Sequence, residues 1–127
     1  MSASKYFTVS EANSTVDVIR PIIARILEIR ATILERQPQV WTVVEKAAGN
    51  GGSQLASEMV MDFNELDSLV HSVQATGALL KDINTGLVDF PAIRDGQEVY
   101  LCWRFGEGQI LFWHTLESGF QGRQPLE

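Results

Sequence analysis

The chain has 127 residues, 45% of them apolar, with a single cysteine and a formal charge of −6 at pH 7. That length can bury one core without covalent staples, so a single domain over 1–127 is expected. Cys102 has no partner for an internal disulfide, the start MSASKYFTVSEAN lacks the features of a secretory leader, and no apolar run approaches the roughly 18 residues of a membrane helix. These features predict a cytoplasmic protein without a membrane partner, and the negative charge disfavours a phosphate backbone, so no nucleic-acid partner is expected either.

Residues 8–80 read as a helical hairpin. Thr8 with Glu11 three positions later is a capping-box pair, each side chain taking an orphan N–H of the first helical turn. Ile19, Ile22, Ile23, Ile26, Ile29 and Ile33 then recur at helical steps, with Arg25, Glu28, Thr32, Glu35 and Gln39 opposite them. Pro21 predicts a bend and Pro38 a kink or break before Val40–Ala48, because proline removes an N–H and crowds the preceding turn. The glycine-rich stretch Ala47–Ser53 predicts a loop. A second helix is expected from about Gln54, packing antiparallel on the first through Leu55, Met59, Phe63, Leu66, Leu69, Val70 and Val73, with His71 exposed. Gly77 is a C-cap candidate. Residues 78–83 are read as helix or strand, turning at Asn84-Thr85-Gly86.

Residues 84–127 read as an antiparallel β-meander and a tail, so the fold class is α+β, a helical hairpin on three or four strands. Strands are expected near 87–93, 97–105 and 109–116, separated by Asp95-Gly96 and Glu107-Gly108 as two-residue hairpin loops. The first loop sets Phe90 opposite Leu101 and Asp89 opposite Cys102. The second sets Trp103 opposite Phe112, Cys102 opposite Trp113 and Leu101 opposite His114. One face then carries Val88, Phe90, Ala92, Val99, Leu101, Trp103, Phe105, Ile110, Phe112, His114 and Leu116 and meets the helices. The other carries Asp89, Tyr100, Cys102, Arg104 and Trp113, too apolar for open solvent. On this register Trp103 and Trp113 point to opposite sides.

The second face is the candidate site. Asp89 and Arg104 lie within reach of each other beside Tyr100 and Trp113, a cross-strand ion pair or a small-ligand surface. The same register sends Cys102 and His114 to opposite sides of the sheet, and no H-x-E, H-E-x-x-H or C-x-x-C spacing occurs, so no metal and no cofactor are expected. Cys102 is read as a buried, slow thiol and His114 as a core histidine bonded to a helix carboxylate or to backbone. No G-x-S-x-G elbow supports hydrolysis. In the tail Glu117–Glu127, Phe120 and Arg123 predict a segment folding back, with Arg123 reaching Glu107 or Asp89; the alternative is a frayed terminus.

The strings GLVDFP, LCWRFGE, FWH and GFQGR, with Tyr6-Phe7-Thr8 and Glu11-Ala12-Asn13 near the start, resemble the bacterial family called domain of unknown function 2203. The resemblance implies a small bacterial cytosolic protein. It places Gly86, Asp89, Phe90, Pro91, Cys102, Trp103, Arg104, Gly106, Glu107, Trp113, His114, Gly119, Phe120, Gly122 and Arg123 in the family signature, and it implies no activity.

Two functions fit these readings. The first is a non-enzymatic, self-associating interaction module. The second is a small-molecule binder or enzyme using Asp89, Arg104, Glu107, His114 and Arg123 around an aromatic pocket. A helix unbroken from Thr8 to Ala47 would run about 60 Å, against about 36 Å across a compact domain of this size. A projecting hairpin and a half-apolar sheet face together predict a homodimer.

Overall fold

The computed structural model describes residues 5–48 and 60–126. The expected loop after Ala48 and the expected helix start at Gln54, with Leu55 and Met59 of its stripe, lie outside the described residues.

Helix α1 spans Val9–Arg36. Thr8 Oγ1 accepts the Glu11 amide at 3.0 Å while a Glu11 carboxylate oxygen accepts the Thr8 amide at 2.9 Å, the reciprocal cap expected from the sequence. Ala12, Val16, Ile19, Ile23, Ile26, Ile29 and Ile33 bury one stripe of it, and Pro21 lies within the helix on its exposed side. The helix ends at Gln37, and Pro38 opens helix α2 (Pro38–Ala47) at a position where its missing N–H has no intrahelical role. Pro38 therefore breaks the long helix, and α1 is about 42 Å long at 1.5 Å per residue. Helix α3, Val60–Ala75, lies antiparallel to α1. Arg25 reaches across to both Glu65 oxygens at 2.7 and 2.8 Å, and Gly77 beyond the end of α3 sits against Lys5 and Phe7 before the start of α1.

Five antiparallel strands follow in a plain meander: β1 Leu79–Asp82, β2 Leu87–Arg94, β3 Gln97–Arg104, β4 Phe112–Thr115 and β5 Gln124–Pro125. This is one strand more than the upper expectation, because the tail adds an edge strand. The segment left open as helix or strand is strand β1, following Gly77 at φ +96°. Asp95 and Gly96, at φ +53° and +80°, make the two-residue hairpin between β2 and β3, and the predicted pairing of Phe90 with Leu101 and Asp89 with Cys102 holds.

The β3–β4 connection differs from expectation. Glu107-Gly108 is not a two-residue loop; β3 stops at Arg104, β4 begins at Phe112, and 105–111 form a longer connection. The turn proper is at Phe105-Gly106, with the Glu107 amide donating to the Arg104 carbonyl at 3.0 Å and Gly106 at φ +105°. The Glu107 carbonyl accepts the Trp103 indole N–H at 2.9 Å, and Asn13 of α1 accepts the Ile110 amide at 2.7 Å. These anchors shift the ladder by one residue, so Leu101 faces Trp113, Cys102 faces Phe112 and Tyr100 faces His114.

A one-residue slip exchanges the two faces of a strand. Trp113 therefore joins Trp103 and Leu101 on the helix side, contrary to the expected opposite orientation, while His114 and Phe112 leave it. Trp113 packs against the core, and Arg94, on the same face, stacks its guanidinium 5.0 Å from the Trp113 ring centre. The helix-side face of Val88, Phe90, Ala92, Val99, Leu101 and Trp103 forms one apolar cluster with the buried stripes of the three helices.

Candidate functional site

The other face of the sheet holds the polar centre. Asp89 on β2, Cys102 on β3 and His114 on β4 are 3%, 0% and 2% exposed. One side-chain donor atom from each lies within 4.8 Å of the other two. The strands impose this: Asp89 and Cys102 are direct cross-strand partners, and His114 is the next residue of β4 on the face of Phe112, the partner of Cys102. Side chains two apart on a strand share a face, so three adjacent strands aim three donors at one point.

Hydrogen bonding orders the cluster. His114 Nδ1 lies 2.8 Å from the Thr115 carbonyl oxygen, an acceptor only, so Nδ1 carries a proton. His114 Nε2 lies 3.1 Å from Asp89 Oδ1, within hydrogen-bond distance. Burial pushes the Cys102 thiol up to about 12, and the neighbouring Asp89 carboxylate, which accepts the thiol proton, adds to the rise. Metal-free Cys102 should therefore alkylate at pH 8 about a thousandfold more slowly than in the unfolded chain, from the thiolate fractions at about 12 and 9.0 alone. The same shift makes stability fall with rising pH. Below about pH 9 both states hold the proton; between about 9 and 12 only the folded state does, so folding becomes progressively less favourable. Iodoacetamide kinetics with and without denaturant check the first statement, and a smaller alkaline loss of melting temperature in Cys102→Ala checks the second.

The C-terminal tail covers this face. Glu107 takes Arg123 Nη2 on both carboxylate oxygens at 2.8 Å, one of the two pairings expected for Arg123. The Arg123 guanidinium sits 4.1 Å from the Phe112 ring centre and 4.6 Å from that of Phe120. Its Nε is buried without a hydrogen-bond partner. The short 3₁₀ turn Phe120–Gly122 and the pairing of β5 with β4 hold the rest in place, so the tail is folded back rather than frayed.

The predicted site residues are thus divided. Asp89, Tyr100, Glu107, His114 and Arg123 gather on or around the tail-covered face, with Tyr100 edge-on to His114 at 5.5 Å and under the Lys81 ammonium. Arg104 does not pair with Asp89 as expected. Asp89 bonds His114, and Arg104 is exposed with its guanidinium 5.3 Å from the Phe120 ring centre. Trp113 belongs to the core side. His114, expected on the core face against a helix carboxylate, instead meets Asp89 on the tail side. Its remaining bond is to backbone, as the other half of that expectation had it. His71 is exposed on α3 with Nδ1 at 2.9 Å from the Asp67 carbonyl, as expected. Cys102 is the site residue that the sequence reading set aside. The signal was a histidine stranded on an otherwise apolar face: moving β4 by one residue returns His114 to Asp89 and Cys102 and places Trp113 among apolar neighbours.

The family model described as an uncharacterized conserved protein, DUF2203, matches residues 5–126. The chain belongs to the DUF2203 family. The match takes in α1, the whole sheet and the tail, so the buried centre and its cover are both parts of what DUF2203 describes. No curated protein and no solved structure matches the chain. Among the described residues no helix is long and apolar enough to cross a membrane.

Proposed function

We propose that this DUF2203 protein is a small-ligand-binding protein of the bacterial cytoplasm, with its binding centre at Asp89, Cys102 and His114 beneath the C-terminal tail. One observation carries the reading: a carboxylate, a thiol and an imidazole from three strands converge in a site almost closed to water. Apolar side chains of similar volume would fill the same space with less desolvation, so polar groups there point to something they hold. The cytoplasmic setting is supported by the thiol having no second cysteine in the chain. Arg104, Glu107 and Arg123 act around this centre rather than in an open aromatic pocket. Glu107 and Arg123 latch the tail to the β3–β4 connection, and Arg104 supports Phe120 from outside.

The test is stability without ligand. Asp89→Val combined with His114→Leu removes the buried pair as a unit and should leave the chelator-treated protein as stable as wild type, or more stable by up to about 4 kcal/mol. Calorimetry reads this directly. A melting temperature well below that of wild type would make the cluster a piece of core architecture and end the proposal.

A second reading, the self-associating module, is favoured by a groove of about 430 Å³ between the start of α1 and the edge of the sheet, lined by Val9, Asn13, Gln109, Ile110, Leu111, Phe112, Pro125 and Leu126. Val9 and Leu111 are 40% and 48% exposed there. Pro38 ends the long helix and the tail lies over the second face of the sheet, so this reading rests on the groove. Light scattering separates the readings: a dimer mass that falls to a monomer in Leu111→Asp supports the groove as a self-contact, and a wild-type monomer removes it.

A further inference from the structure

Taking the cluster as the ligand site, we infer that its ligand is a divalent metal ion of the zinc class, bound by the Asp89 carboxylate, the Cys102 thiolate and His114 Nε2. The donor set decides the metal class. Sulfur, imidazole nitrogen and one carboxylate oxygen suit a borderline-soft ion that accepts four neighbours, whereas magnesium and calcium seek six or more oxygens. The spread of the donor atoms, all within 4.8 Å of one another, fits a single ion placed among them with small side-chain adjustments.

A second feature points the same way independently of proximity. His114 holds its Nδ1 proton against the Thr115 carbonyl at 2.8 Å, which fixes the ring and leaves Nε2 facing the cluster. Metal-binding histidines are held in this way, their second nitrogen tied to backbone or carboxylate. Charge agrees as well. A carboxylate and a thiolate supply two negative charges, which a dication neutralises, and the nearby Arg123 cation is already matched by Glu107 at 2.8 Å. The donors stand on neighbouring strands rather than on loops, so little ordering is needed on binding.

Among the described residues only these three side chains form such a group. Three protein ligands on a four-coordinate ion leave one position for water or a small anionic ligand, the arrangement of sites that bind or transform a substrate rather than of closed structural sites. The tail, whose Arg123 reaches the Cys102 carbonyl and lies over Phe112, would then control access to that position.

The experiment uses the full chain stripped with chelator and dialysed, titrated with zinc chloride by calorimetry and with cobalt chloride by absorption. One ion per chain and a thiolate-to-cobalt charge-transfer band are expected. Cys102→Ser should abolish the band, and Asp89→Asn, His114→Gln and Cys102→Ser should each weaken zinc by about 100-fold or more, since loss of an outer partner alone weakens metal by 10–100-fold. Circular dichroism of each metal-free variant establishes that it is folded. No stoichiometric binding, or binding that survives all three substitutions, overturns the inference. The failures separate cleanly. If zinc does not bind but the Asp89→Val, His114→Leu protein is as stable as wild type, only the metal assignment falls; if that protein is also destabilised, the ligand-site reading falls with it.

Discussion

Trp103→Ala is expected to destabilise the protein by about 3–5 kcal/mol, a large part of the stability of a domain this size. Trp103 is fully buried on the helix side of β3 and meets Phe105 edge-on at 6.2 Å. Its loss removes one of the largest buried side chains among the described residues and leaves a cavity that neighbouring strands cannot close. It also orphans the Glu107 carbonyl, which accepts the indole N–H at 2.9 Å. Because that bond sets the β3–β4 connection, the damage should reach the register of β4 and hence His114. Trp103→Phe keeps most of the volume and loses the donor, for about 1–2 kcal/mol. Urea unfolding followed by circular dichroism gives both values. A Trp103→Ala loss below about 1 kcal/mol would contradict the packing described above.

Gly86→Ala should cost about 2–4 kcal/mol from two separable sources. Gly86 closes the β1–β2 turn at φ +72°, where a side chain meets its own backbone. A Cβ there would stand 2.8 Å from both Ile23 Cγ2 and Phe105 Cβ, atoms held by the helix and by the β3–β4 connection, so neither can withdraw easily. Gly96→Ala separates the terms: at φ +80° it carries the same backbone strain, but no atom lies within 4 Å of its Cβ. It should lose only about 1 kcal/mol. Equal losses in the two variants, measured by thermal unfolding, would remove the contact with Ile23 from the account.

Much of the fold was legible because its determinants are local. The Thr8–Glu11 cap is a contact over three residues. The isoleucine stripe of α1 follows from helical period alone, and Pro38 ends the helix through its own ring and missing N–H. The Asp95-Gly96 turn contains all that sets the β2–β3 ladder, since two residues at positive φ leave one pairing available. Half of the centre followed from that ladder, which brings Asp89 beside Cys102.

The other half was decided at long range. Glu107-Gly108 has the composition of a hairpin loop, yet its conformation belongs to groups elsewhere in the chain. The Arg123 guanidinium from the tail takes the Glu107 carboxylate, and Asn13 of α1 takes the Ile110 amide across 97 positions. The Arg123 pairing was open between Glu107 and Asp89 and the Asn13 contact has no signature near residue 107; together with the Trp103 indole bond they lengthen the connection and move β4 by one residue. In a sheet that single step decides which side chains share a face, because successive residues point to opposite sides. The sequence by itself thus determined the first helix with its cap and its break, and the one hairpin from β2 to β3 with its register. Only the tertiary structure decided that His114 stands with Asp89 and Cys102, because the step that puts it there is held by atoms far from it in the chain.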